Sequence, residues 1–241
     1  MRLDKLLANT GFGSRKDVKG LLKKKQVTVN DLVQKDGSVH VDPAKDIIIV
    51  NGKSVQYQKY LYIMLHKPQG CISATVDDKE RTVVDLLSES HQHFNPFPVG
   101  RLDKDTEGLL LLTNDGELAH QLTSPKKKIK KTYAARVSGL VTDEDIVLFK
   151  RGIVLEDGYK TKPAELIILQ AGDISEIELT ITEGKYHQVK RMFEAVGKKV
   201  TYLKRLSMGE LQLDGTLIKG EYRELTEEEL SYCLSLKKEK S

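Results

Sequence analysis

The chain has 241 residues, with 39 Lys+Arg against 35 Asp+Glu and a net charge of +4, long enough for one large domain or for a small domain joined to a medium one. Its two cysteines, Cys71 and Cys233, lie far apart and outside any C-x-x-C pattern, which excludes a disulfide framework and a thiolate metal site and fits a reducing cytoplasm. The first residues carry no apolar targeting segment, and the longest uniformly apolar runs, such as 109–112, are far too short to span a bilayer, so a soluble protein with no membrane partner is expected.

The charge is unevenly placed. Residues 1–58 hold 11 Lys+Arg against 6 Asp+Glu, and the remainder holds 28 against 29. A compact basic module on a near-neutral body suits a protein in which one part grips a polyanion while another does something else. Within that module Leu3, Leu6 and Leu7 fall at helical spacing over residues 2–9, and the string Thr10-Gly11-Phe12-Gly13 breaks the pattern before Ser14 caps a new helix. The second helix, 15–24, carries Val18, Leu21 and Leu22 on one face and Arg15, Lys16, Lys19, Lys23 and Lys24 elsewhere. Short strands are expected at 27–29, 38–41 and 47–50, so that a small α+β unit ends near residue 58. Cations at that spacing can lie along a nucleic-acid backbone, and Arg2, Lys5, Arg15, Lys16 and Lys19 are the candidate contacts.

Beyond residue 59 the apolar runs lengthen. A strand at 61–65 closes on the turn Pro68-Gln69-Gly70, and a loop-rich stretch follows through His91, His93, Pro96 and Pro98. Then come a buried strand at 109–112, a helix at 115–122, a strand at 132–137 and an acid-rich, capped helix start at 142–145. Strands at 165–169 and 176–181, a helix at 187–196, a strand at 200–203 and a closing helix at 226–234 complete a body of residues 59–235, leaving 236–241 as a charged tail. Runs of strands interrupted by single helices indicate an α+β class rather than a doubly wound sheet. His91 and His93 are read as surface residues with no metal between them, no G-x-S-x-G supports a serine hydrolase, and Gly11-Phe12-Gly13 lacks the third glycine of a dinucleotide fingerprint.

The window 98–116 concentrates polar chemistry. Glycines flank a charged loop that runs into the buried strand, and Asp103, Asp105, Glu107 and Asp115 lie within it. By residue type alone these carboxylates serve equally well as turn and capping groups. Their order goes further. Gly100-Arg101-Leu102-Asp103, followed by Gly-Leu-Leu-Leu-Leu-Thr-Asn-Asp-Gly at 108–116, resembles the signature of RNA pseudouridine synthases. Further blocks of the same resemblance are Lys67-Pro68-Gln69-Gly70, Lys131-Thr132-Tyr133 and the run from Glu183 through His187-Gln188-Val189-Lys190-Arg191-Met192. Arg2-Leu3-Asp4-Lys5-Leu6, Ser14-Arg15, Leu21-Leu22 and Val27-Thr28-Val29-Asn30 resemble an S4 RNA-binding domain, with Lys25 standing where such domains commonly have glycine.

The resemblance covers almost the whole chain and implies an S4-like unit followed by a synthase body with a mixed, mainly antiparallel sheet flanked by helices. It implies conversion of uridine to pseudouridine: the N1–C1′ bond breaks, the base turns and rejoins through C5, with no cofactor or metal required. Asp103 is then the essential carboxylate, acting through a covalent sugar adduct or a glycal intermediate. Lys190 would be its counter-ion, holding a buried aspartate ionised, and Arg191 follows it on the same helix. Tyr133 would stack on uracil and relay the C5 proton. Arg101 would contact phosphate or fill the gap left by a flipped base, and Lys131 ends a basic strip at 126–131. His187 is expected to position its loop. The implied partner is ribosomal RNA or an assembling small ribosomal subunit, met by a monomer. The short start at Arg2-Leu3-Asp4-Lys5 and the HQVKRM form look most like the small-subunit (16S) branch. A large-subunit (23S) synthase and a non-catalytic ribosomal assembly factor are the alternatives.

Overall fold

Leucines 3, 6 and 7 occupy one face of α1 (Leu3–Asn9) and are fully buried. Ser14 then begins α2 (Arg15–Lys23) through a reciprocal capping box with Asp17. This chain is seen as a computed structural model that describes residues 1–55 and 57–238. It divides into two units, one of Met1–Leu61 with Glu89–Asn95 and the other of Tyr62–Ser88 with the chain from Pro96 onward.

In the first unit β1 (Val27–Val29), β2 (Leu32–Val33), β3 (Ile48–Val50) and β4 (Lys53–Ser54) form an antiparallel sheet in the order β2-β1-β3-β4. Val18 and Leu22 of α2, the α1 leucines, Val27 and Val50 share one core. Lys25 adopts a left-handed φ of 57°, the conformation that glycine takes without strain, at a cost of about 1 kcal/mol. The strand expected at 38–41 is absent. Ser38 donates its N–H and hydroxyl to the Asp36 carboxylate, and this local turn leaves a single bridge between His40 and Arg2. The loop expected around His91 contains a short helix, α3 (Glu89–Gln92). His93, expected to be a plain surface residue, lies 2.8 Å through Nε2 from the Ala8 carbonyl.

The second unit is built on β5 (Tyr62–Lys67), β6 (Phe97–Pro98), β7 (Glu107–Thr113), β8 (Lys131–Ser138), β9 (Glu165–Gln170), β10 (Ile174–Ile181), β11 (Lys199–Met208), β12 (Leu211–Gln212) and β13 (Tyr222–Glu224). The sheet runs β13-β5-β7-β11-β8-β10-β9, with β6 on β7 and β12 on β11. Among the described residues β7 with β11 is the parallel pair and the other strand pairs are antiparallel, so the sheet is mixed and mainly antiparallel. All seven residues of β7 are buried, as a continuous apolar run in a sheet centre requires. The helices are α4 (Gly116–Thr123), α5 (Asp143–Arg151), α6 (Gln188–Glu194) and α7 (Glu227–Lys238).

Helix α7 extends past residue 234, which corrects the expected tail. Lys237 reaches the buried Asp115 carboxylate at 2.8 Å, and the same carboxylate caps α4 through Leu118 N–H and accepts from the Tyr62 hydroxyl. That contact and the packing of Leu236 against the core tie the last turn of α7 to the body; residues 239–241 lie outside the described residues. Among the described residues no helix is long and apolar enough to cross a membrane.

The backbones approach closely at the β7–β11 contact, where Gly108 has φ 106° and a Cβ would stand 2.2 Å from the Arg205 carbonyl oxygen. Gly108→Ala is therefore expected to destabilise the second unit by about 3 kcal/mol or more. Urea denaturation followed by tryptophan-free probes such as far-UV circular dichroism checks this.

Candidate active site

Lys67 ends β5 at an inward position and is fully buried. Among the described residues no carboxylate pairs with it; its ammonium donates to backbone carbonyls of Pro68 at 3.0 Å, Asp103 at 3.0 Å, Thr106 at 2.9 Å and Lys104 at 3.4 Å. Burial pushes its pKa down, while Asp103, Asp105 and Glu107 are among the charges that oppose the shift. The 103–106 turn is thus wrapped around one cation. Its entry is fixed by Ser73, whose hydroxyl donates to the Leu102 carbonyl at 2.8 Å and accepts from Leu102 N–H at 3.0 Å. Gly100 precedes it with φ 73°. The loop leaves the Asp103 side chain 28% exposed, so this aspartate is half-buried rather than buried as expected.

Asp103 stands at a cleft of about 440 Å³. Strand alternation supplies the floor. Tyr133 on β8 lies opposite Arg205 on β11 and Leu179 on β10, and Lys131 lies opposite Ile181. Arg101, Asp103, Lys131, Tyr133, His187 and Arg205 all line the cleft. Tyr133 is 7% exposed, which leaves a little of the ring open to a ligand in the cleft.

The opposite wall is the 183–188 segment. Glu183 is buried and accepts from the Tyr159 hydroxyl at 2.7 Å, Lys162 N–H at 2.9 Å and Gln188 Nε2 at 2.8 Å; Gln188 Oε1 in turn accepts from Lys185 N–H. This network holds His187 in a left-handed conformation, φ 49°, with its ring stacked on Tyr186 at 3.8 Å and its Nε2 3.5 Å from Asp103 Oδ1. The positioning expected of His187 is reversed in part: the loop positions the histidine.

Lys190 on α6 does not take Asp103 as its nearest partner. Its ammonium lies 2.6 and 2.8 Å from the two Asp105 oxygens and 3.5 Å from Asp103 Oδ2. Burial acts to raise the Asp105 pKa, but the hydrogen bond and charge of Lys190 prevail and lower it. Arg191 faces away from the cleft lining and pairs with Asp157. In the first unit Arg2 is bonded to Asp4 at 2.7 Å, while Lys5, Arg15, Lys16 and Lys19 are exposed.

Three residues of the site carried no role in the sequence reading. Lys67 and Glu183 lie in recognised blocks, and a charged residue closing an apolar strand run was the available signal for Lys67. Arg205 lies outside them. Its signal is a cation at an inward register position of β11, two residues after Leu203, and it is 2% exposed.

The family model described as RNA pseudouridylate synthase matches residues 61–195, and the S4 domain model matches residues 1–48. The chain is 56% identical over 232 residues to an uncharacterized RNA pseudouridine synthase, YtzG, of Bacillus subtilis, covering 95% of this chain and 97% of that one. It is 46% identical over 239 residues to ribosomal large subunit pseudouridine synthase B of the same organism, covering 98% and 96%. It is 43% identical over 232 residues to ribosomal small subunit pseudouridine synthase A of Vibrio cholerae, covering 96% and 98%.

Two outcomes follow from the electrostatics of the site. Lys67→Met leaves several carbonyls without their donor, so a loss of roughly 3 kcal/mol or more is expected, with faster amide hydrogen exchange at Thr106, whose N–H bonds the Asp103 carbonyl. Lys131 is brought down to about 8 by burial, then by the charges of Arg205 and Lys162. Below that pH it is charged in the cleft; above it the charge is lost well before an ordinary lysine would lose it. Labelling of Lys131 by an amine reagent, read peptide by peptide, should therefore rise with a midpoint near pH 8.

Proposed function

The chain belongs to the RNA pseudouridylate synthase family, and on that premise we propose that it isomerises a uridine of small-subunit (16S) ribosomal RNA, with Asp103 as the carboxylate that acts at C1′. The observation that carries the assignment is the placement of Asp103 on a loop pinned by Lys67, at a cleft whose floor holds Tyr133.

Uridine enters this cleft flipped out of its RNA stack. Tyr133 supports the uracil ring, Arg101 occupies the gap or contacts the neighbouring phosphate, and the strip ending at Lys131 tracks the backbone. Asp103 takes up the positive charge of C1′ as the glycosidic bond opens, as an ester of the sugar or by removing the 2′ proton. The Tyr133 hydroxyl then relays the proton lost from C5. Lys190, held chiefly by Asp105, stands 3.5 Å from Asp103, a weaker contact than direct pairing; Arg191 contributes to RNA contact from α6. Arg2, Lys5, Arg15, Lys16 and Lys19 deliver the RNA through the S4 unit, and the protein works as a cytoplasmic monomer on ribosomal RNA or the assembling small subunit.

The small-subunit target is favoured by the HQVKRM form of the 187–192 segment. Likeness to the large-subunit synthase from B. subtilis over nearly the whole chain favours a 23S target as the second reading. Mapping of pseudouridines in both ribosomal RNAs from a deletion strain is expected to lose one site in 16S; loss of a 23S site instead overturns the target. Complementation with Asp103→Asn should not restore the site, because turnover falls roughly 10⁴-fold or more when the reacting carboxylate is removed. RNA affinity measured by filter binding should change little, and restored modification by this variant would refute the role of Asp103.

A further inference from the structure

Arg205 is a cation in an unusual setting. Its guanidinium is almost completely buried at the cleft floor, its Nε donates to the Leu109 carbonyl at 2.8 Å, and its buried Nη2 has no partner among the described residues. Among the described residues no carboxylate pairs with it. Asp103 faces His187 and Lys190, and the Glu183 carboxylate is occupied by Tyr159, Lys162 and Gln188. Lys131 lies on the same sheet face and, among the described residues, donates to the Ile129 carbonyl and pairs with no carboxylate. Two cations without a counter-ion, one of them almost fully buried, are costly in the free protein. A ligand that brings negative charge to the floor removes that cost.

We infer that Arg205, seconded by Lys131, is the leaving-group site of the reaction: it binds the uracil monoanion that forms when N1–C1′ breaks. This rests on the assignment of the cleft to uridine isomerisation. When the bond opens heterolytically its electron pair goes to N1, and the charge spreads onto O2 and O4. The sugar carbon loses its positive charge to Asp103, by bonding to the carboxylate or by passing it the 2′ proton. C5 then bonds C1′ as the carboxylate leaves it, or as Asp103 returns the proton to C2′; the C5 proton is lost and N1 gains one, so the base ends neutral and Asp103 is again a free carboxylate. Negative charge therefore exists on the base only between the two bonds. Arg205 is directly opposite Tyr133 in the β8–β11 register, beside it on the same face of the sheet, and both line the cleft. Fixed donors in a buried place stabilise such transient charge more than water does, because no solvent must reorganise. An RNA phosphate is the other anion of the right charge, and it is present before and after the reaction alike.

The difference in timing gives the test. Ribosomal RNA fragments carrying either uridine or 5-fluorouridine at the mapped position are followed in single turnover with wild type, Arg205→Met, Arg205→Lys, Lys131→Met and Asp103→Asn. Fluorouracil is the more acidic base, so its anion needs less help. Arg205→Met is expected to slow uridine by about 10²–10³-fold and fluorouridine about tenfold less, with RNA affinity little changed, and Lys131→Met to slow uridine more than fluorouridine by a smaller factor. Equal slowing of the two bases overturns the inference in favour of a structural role. Weaker RNA binding with a salt slope reduced by about one, at an unchanged single-turnover rate, overturns it in favour of a phosphate contact. If Arg205→Met loses its thermal unfolding transition, Arg205→Lys and Lys131→Met are judged by the same comparison of bases. Turnover retained by Asp103→Asn marks failure of the active-site reading itself, separately from the arginine result.

Discussion

A single ammonium group organises the reacting loop. Lys67 is buried where a charge is expensive, and the cost is met by four carbonyl dipoles drawn from its own strand end and from the 103–106 turn. Three of those carbonyls belong to the segment that carries Asp103. The carboxylate is therefore displayed at the cleft by its backbone, and its own oxygens have only the long contacts of 3.5 Å to His187 and Lys190 among the described residues. Ser73 on one side and the Gly108–Arg205 contact on the other limit what the loop can do beyond that turn.

The charges around this loop are layered. Asp105, more exposed than Asp103, takes the close contact with Lys190 and leaves Asp103 at the longer distance. His187 sits on the other oxygen, held there by a segment clamped through the buried Glu183. The floor carries positive charge with no acidic partner among the described residues. Anionic and cationic functions are thereby separated in depth: carboxylates at the rim, where the sugar would lie, and cations below, where the base would lie. This separation suits a reaction that develops opposite charges on the two fragments of one nucleoside.

Much of this was legible in the residues because local rules and global fold agree. Ser14 with Asp17, Thr142 with Asp145, and the 109–112 run all became what their spacing implied. The loop motif and the β8 tyrosine came together as the family resemblance implied. What was not legible depended on partners distant in sequence. The 38–41 strand failed because Asp36 bonds Ser38 locally. The end of α7 was missed because one of its anchors is Asp115, more than a hundred residues earlier. Arg205 gave only a weak sign, its spacing from Leu203, because a single arginine in a strand is ordinarily solvated, and it is the β8–β11 register that sets it opposite Tyr133. The preference of Lys190 for Asp105 is likewise a matter of ångströms.

The order of strands in the sheet has a consequence for how the chain acquires its structure. β7, with leucine at 109–112, pairs with β5 on one edge and with the preceding β6 at residues 112–113 on the other, yet β11, which covers residues 107–108 of that edge, begins some ninety residues further on. The hairpin-like partners β8, β9 and β10 can assemble locally in the interval, whereas the 107–108 end of β7 waits for β11. An incomplete chain thus leaves a strand end unpaired next to the loop that carries Asp103. The parallel strand that covers this end also sets Arg205 against Gly108, so edge protection and the completion of the cleft lining come in one folding event.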